Sequence, residues 1–220
     1  MLNNPSIRSY VRFVKDWAKR NCGGVRKLSL EFGVGCHNLV VLLNDEHVFK
    51  FPLINRPNLA VREKRITDAL RSVSPIHFPE MEIIEWNGIL VRRYEFLRGK
   101  LLCDFSAAQI KANREKLVRQ LAKFMYVVGR ADPVEIRDLK PSPDDVPDYL
   151  YGWFHNDIGQ NFIMDDDFNI VGFIDSEKAA FCDFRKSLYS TSHFWDKHGY
   201  SSLMVDLLAE YSRLYYADMA

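Results

Sequence analysis

With 220 residues, 47% of them hydrophobic, the chain can bury a sizeable core, and its length fits one domain or two small lobes. Lys and Arg total 30 against 29 Asp and Glu, a formal charge of +1, which excludes the strong overall field that holds a nucleic-acid backbone or an anionic membrane. The four cysteines form no CxxC pair, Met1 to Tyr10 carries polar residues and Pro5 where a secretory leader would be apolar, and no stretch approaches a membrane span. Free thiols and a reducing cytoplasm are therefore expected.

The chain opens on an amphipathic helix: Ile7, Tyr10, Val11, Val14, Trp17 and Ala18 recur at helical spacing, and Gly23-Gly24 stops the pattern. Short apolar strands follow over 25–32, 38–43 and 47–51, with Asn44-Asp45-Glu46 as a tight hairpin connection. Pro57-Asn58 leads into a helix over about 59–73 that carries Glu63, Ile66, Ala69 and Leu70. Residues 81–86 and 89–96 flank Asn87-Gly88, a strong hairpin signal. The pattern predicts an antiparallel sheet of about five strands interrupted by one helix.

After Gly99 the texture turns helical. Ser106 and Gln109 have the spacing of a capping box, and Ile110, Leu117, Leu121, Phe124, Met125 and Val128 mark one face of a long helix ending near Gly129. Residues 133–147 are rich in proline and acids and read as a loop with at most a turn of helix. Two short strands over 161–164 and 169–173 are joined by Asp165-Asp166-Asp167, and Leu203, Leu207, Leu208, Tyr211, Leu214 and Tyr215 predict a closing helix. The change at 97–100 divides the chain into a sheet-rich part, 1–96, and a helix-rich part, 97–220, and a cleft between two lobes is a favoured place for a ligand.

The residues with chemistry to offer are few. Lys50 lies among apolar neighbours in Val48-Phe49-Lys50-Phe51-Pro52, where its ammonium can meet phosphates from one face of a half-buried strand, and Glu63 is a candidate partner for it. Taken singly, each is more often a solvated surface charge. Gly33 and Gly35 between the first two strands let backbone amides approach a polyphosphate, although glycine there is often only a turn. Asp157, in a polar loop between apolar segments, is the best candidate for a general base, and Asn161 and Asp175 offer the neutral and anionic oxygens that magnesium prefers. His155 is expected to hydrogen-bond the loop backbone rather than act as a base itself.

In these pieces the chain resembles the aminoglycoside phosphotransferase and choline kinase family, which shares the two-lobed architecture of protein kinases. The resemblance runs from about Leu28 to Asp183 and rests on His155-Asn156-Asp157, Asn161-Phe162-Ile163-Met164-Asp165 and Ile174-Asp175-Ser176-Glu177, with Gly35-x-x-Asn38, Phe49-Lys50-Phe51-Pro52 and Tyr94-Glu95-Phe96-Leu97-x-Gly99 in the same order. It implies an α+β, two-lobed fold: an antiparallel sheet lobe with one helix, and a reduced helical C-terminal lobe. It further implies a phosphotransferase that uses ATP and Mg2+ and moves the γ-phosphoryl group to a hydroxyl of a small aminoglycoside-, choline- or sugar-like acceptor. Asp157 would be the base and Asn161 and Asp175 the magnesium ligands. Gly35 and Asn38 would lie in the phosphate loop, Lys50 would reach the α- and β-phosphates with Glu63 pairing it, and backbone groups of Glu95, Phe96 and Leu97 would receive the adenine.

The chain also departs from the family. Only three residues separate Asp157 from Asn161 where the family usually has four, and Ser176 stands where a Trp is common. A protein Ser/Thr kinase is the alternative enzyme, disfavoured because neither Asp-Phe-Gly nor Ala-Pro-Glu occurs at or after Asp175. A catalytically silent nucleotide-binding relative is the alternative from outside enzymology.

Overall fold

The structure is a computed structural model, and it describes residues 6–32, 37–54, 56–141, 151–157, 161–197 and 201–218. Its contacts divide the chain into two compact units, Met1–Lys64 with Glu80–Leu97, and Arg65–Pro79 with Arg98–Ala220.

The first unit opens with helix α1, Ile7–Asn21. The Ser6 hydroxyl accepts from the Ser9 amide at its start, and Tyr10, Phe13, Val14 and Ala18 form the buried stripe. Five antiparallel strands follow: β1 Leu28–Phe32, β2 Asn38–Leu43, β3 His47–Pro52, β4 Glu82–Trp86 and β5 Ile89–Glu95, in the spatial order β1-β2-β3-β5-β4. Leu39, Val41 and Leu43 of β2, Phe49 and Phe51 of β3, and Ile89 and Val91 of β5 close a core against α1, where Phe13 meets Phe49 and Phe51 edge-on. The β2–β3 and β4–β5 hairpins each turn on two consecutive residues with positive φ, Asn44-Asp45 and Asn87-Gly88, as a type I′ turn requires. The first strand starts at Leu28 rather than at 25, because the amides of Arg26 and Lys27 donate to Asn44 Oδ1 instead of joining the ladder.

Helix α2, Pro57–Arg71, begins in the first unit and ends in the second. In the second unit the expected long helix is two, α3 Ala107–Ala112 and α4 Arg114–Gly129. The predicted capping box of Ser106 and Gln109 is formed, but Asn113 leaves helical geometry at φ −111° and its side chain bonds back to the Gln109 carbonyl. An amide competing with the backbone in this way is a common cause of such a break. The 133–147 stretch contains a 3-10 helix at Val134–Leu139, with Asp132 paired to Arg137 and Lys140 beside it; its part over 142–147 lies outside the described residues.

The remaining strands form two small sheets. Strands β6 Lys100–Leu101, β8 Phe162–Met164 and β9 Ile170–Phe173 make one, in the order β6-β8-β9; β7 Tyr151–Phe154 and β10 Ala180–Asp183 make the other. Helices α5 Phe184–Lys197 and α6 Ser201–Ala217 complete the unit, whose core is crowded with aromatic rings such as Phe124, Phe162, Phe173 and Phe184. Cys22, Cys103 and Cys182 are free thiols, as expected, while Cys36 lies outside the described residues. Among the described residues no helix is long and apolar enough to cross a membrane.

Helix α4 and strand β7 touch backbone to backbone. A Cβ at Gly152 would stand 2.3 Å from the Gly129 carbonyl oxygen, and one at Gly129 would stand 2.9 Å from the Phe154 ring. Gly152→Ala therefore forces the main chain apart, and it is expected to lower unfolding free energy by about 1–3 kcal/mol, an overpacking cost. Urea denaturation checks this, and a change inside about 0.5 kcal/mol, as at an ordinary surface position, would show that the contact is slack.

Candidate functional site

In the first unit, strand register sets the chemistry. Lys50 on β3 lies between Val40 of β2 and Arg92 of β5, and its side chain is 4% exposed. Strand β3 is covered on both faces rather than half-buried, so the lysine is no surface charge. Glu63, in the buried stripe of α2 with Ala60, Ile66 and Thr67, is 1% exposed. Its Oε1 lies 3.6 Å from Lys50 Nζ and its Oε2 lies 2.5 Å from Arg92 Nη1. Arg92 Nη2 donates to Asn38 Oδ1 at 2.5 Å. The expected partners Lys50 and Glu63 thus meet, and Asn38 joins them through Arg92, which sequence reasoning passed over. A signal existed, because consecutive Arg92 and Arg93 in a strand must point to opposite faces.

Of the other positions expected in this unit, Gly35 lies outside the described residues. Glu95 ends β5 and is exposed, Leu97 follows half-buried, and the Phe96 amide donates to the Glu46 carbonyl at 2.9 Å.

In the second unit, the loop after β7 and the turn after β9 are stitched together through main-chain groups. His155, at the end of β7, is buried; its Nε2–H donates to the Asp175 carbonyl at 2.5 Å, and its ring lies edge-on to Phe173. Because a carbonyl only accepts, this bond places the imidazole proton on Nε2. Asp175 has the left-handed backbone φ 63°, ψ 62°, and Asn156 has φ 60°. The Asn161 carbonyl accepts from the Ile174 amide at 3.0 Å, while its side-chain Nδ2 donates to the Asp157 carbonyl at 3.2 Å. Asn156 Nδ2 reaches the Lys178 carbonyl and its Oδ1 accepts from Cys182 Sγ. Asp157 Oδ2 lies 2.6 Å from Lys178 Nζ, with the aspartate 18% and the lysine 63% exposed.

These residues fit a hard cation. With Nδ2 committed to a carbonyl, Asn161 turns Oδ1 the other way, and carboxylate oxygens of Asp175 and Glu177 lie within 4.8 Å of each other. Glu177 stood in the sequence motif without a role assigned to it, and its place beside Asp175 follows from the 3-10 turn at Ser176–Lys178. His155 takes the structural part expected of it.

Burial pushes the His155 imidazole down to about 4 from its usual 6.5, against weaker upward pulls from the Asp175 carbonyl and the nearby carboxylates. The unfolded chain then takes a proton below about 6.5 that the folded chain refuses until about 4. Stability from this group is complete above that window and is lost as pH falls through it, by a few kcal/mol in order of magnitude. His47, also lowered by burial, adds in the same sense. Urea titrations from pH 7 to 4.5 are expected to show His155→Gln, which can still donate to the carbonyl, losing less stability on acidification than the parent. Equal losses would show that the imidazole is not held neutral.

No known family profile matches the chain, and no curated protein sequence matches it. Solved structures do. APH(2")-IIia in complex with GDP and kanamycin superposes with a TM-score of 0.72 at 15% identity, covering 92% of this chain and 82% of the other. The streptomycin–ATP ternary complex of APH(2")-IIa gives 0.66 at 13% identity over 95% and 84%. The macrolide 2'-phosphotransferase MphH from Brachybacterium faecium, as apoenzyme, gives 0.58 at 17% identity over 93% and 83%. At such identities the likeness is one of fold, and this chain has the α+β fold of the aminoglycoside and macrolide phosphotransferases.

Proposed function

We propose that this chain is a phosphotransferase that uses ATP and Mg2+ and moves the γ-phosphoryl group to a hydroxyl of a small molecule. The observation that carries the reading is the burial of Lys50 and Glu63 together, since an ammonium kept from solvent needs a reason that surface solubility does not supply. The shared fold with enzymes solved with GDP and kanamycin or with ATP and streptomycin supports it.

On this reading Lys50 binds phosphate oxygens as a point charge, with Glu63 setting where its stem can swing. Groups at Glu95, Phe96 and Leu97 take the adenine, and Gly35 and Asn38 contribute to the phosphate loop. Asn161, Asp175 and Glu177 would hold magnesium, which neutralises charge on the phosphate oxygens when bound. Asp157 orients the acceptor hydroxyl and accepts its proton as the oxygen attacks. The Lys178 ammonium occupies Asp157 Oδ2, but an ion pair so exposed on the lysine side is worth only about 0–1 kcal/mol, so an arriving hydroxyl can displace it. Most of the rate then comes from alignment and charge placement.

Asp157→Asn is expected to keep nucleotide affinity while cutting acceptor-dependent ADP release by about 100-fold to 10,000-fold. A panel of aminoglycosides, macrolides, choline, amino alcohols and sugars supplies the acceptor. Undiminished turnover by the variant would remove Asp157 from the mechanism.

A further inference from the structure

Glu63 serves two buried cations unequally. The Arg92 contact, at 2.5 Å, is a hydrogen-bonded ion pair, whereas Lys50 at 3.6 Å is within ion-pair range but beyond a hydrogen bond. The other finger of the same guanidinium holds Asn38 Oδ1. Arginine only donates, so Asn38 must turn its oxygen to Arg92 and its two amide hydrogens away from it. One planar fork thereby fixes an acid on α2 and an amide at the start of β2 at once, in a rigid geometry that a lysine, whose donors share one rotatable ammonium, does not supply. Register adds a constraint: Lys50 and Arg92 are directly opposite on neighbouring strands, and like charges so placed repel unless a carboxylate lies against both.

We infer that Arg92 is a positioning residue of the nucleotide-binding half of the protein: it anchors Glu63 and orients Asn38, which leaves the Lys50 ammonium and the Asn38 amide hydrogens directed to phosphate. The inference rests on the phosphotransferase reading above. Without Arg92, Glu63 closes on Lys50 and withdraws its charge, and Asn38 loses its fixed orientation. A guanidinium that merely fills space would affect stability and not this division of labour.

The test measures MgATP affinity by displacement of a fluorescent nucleotide, together with KM and kcat, for the parent, Lys50→Met, Arg92→Lys, Arg92→Met and Arg92→Met combined with Glu63→Gln. Arg92→Met is expected to raise Kd and KM for MgATP by about tenfold to a hundredfold, the equivalent of one charge-assisted hydrogen bond, with a smaller fall in kcat at saturating nucleotide. Arg92→Lys keeps the charge but not the fork, so it remains weakened, and it decides the matter if Arg92→Met does not fold. Adding Glu63→Gln to Arg92→Met recovers part of the affinity, because a neutral amide no longer captures Lys50. If both Arg92 variants bind MgATP within about twofold of the parent while Lys50→Met binds weakly, the role given to Arg92 is wrong and the phosphotransferase reading stands. If the parent itself binds no MgATP, both fall.

Discussion

Burying the Glu63 carboxylate sets the terms for what surrounds it. An isolated buried carboxylate costs several kcal/mol, so the fold must bring cations to it, and it does so through strand order. With β3 and β5 adjacent and antiparallel, Lys50 and Arg92 fall opposite each other and both reach the acid on α2. The hydrophobic effect alone would have preferred three apolar residues there. Such a cluster is weak evidence for stability and better evidence for use.

The second unit solves its positioning problem differently. Carbonyls of Asp157, Asn161 and Asp175 accept hydrogen bonds that tie these segments together, from the Asn161 side chain, the Ile174 amide and the His155 ring. Two left-handed residues, Asn156 and Asp175, accept backbone strain that Asn and Asp tolerate better than most residues.

Much of this was readable in the chain. Helical periodicity located α1 and α2, and short apolar runs bounded by turn residues located the five strands of the first sheet. In the second unit β8 and β9 were legible, but β6, β7 and α5 were not: Tyr151–Phe154 is a continuous apolar run without alternation, Lys100–Leu101 has only two residues, and α5 mixes Ser and Thr with its buried Phe184, Leu188 and Trp195. At the site, Lys50, Glu63, His155 and Asp157 announced themselves by residue type and setting. Arg92 and Lys178 did not, since their parts depend on partners 29 and 21 residues away in sequence, which only strand register and a 3-10 turn bring near.

The contact of Gly129 with Gly152 has a mechanical side. Where two elements meet through side chains, the intervening methyl groups can yield and absorb displacement. Here the end of α4 bears on β7 main chain to main chain, only three residues before His155. The joint is stiff, so a shift of the helix end is passed undamped to the loop that carries Asp157. Anything that bends α4 at that end, from a crowding variant to a ligand leaning on it, would be felt at the Asp157 side chain as a change of aim.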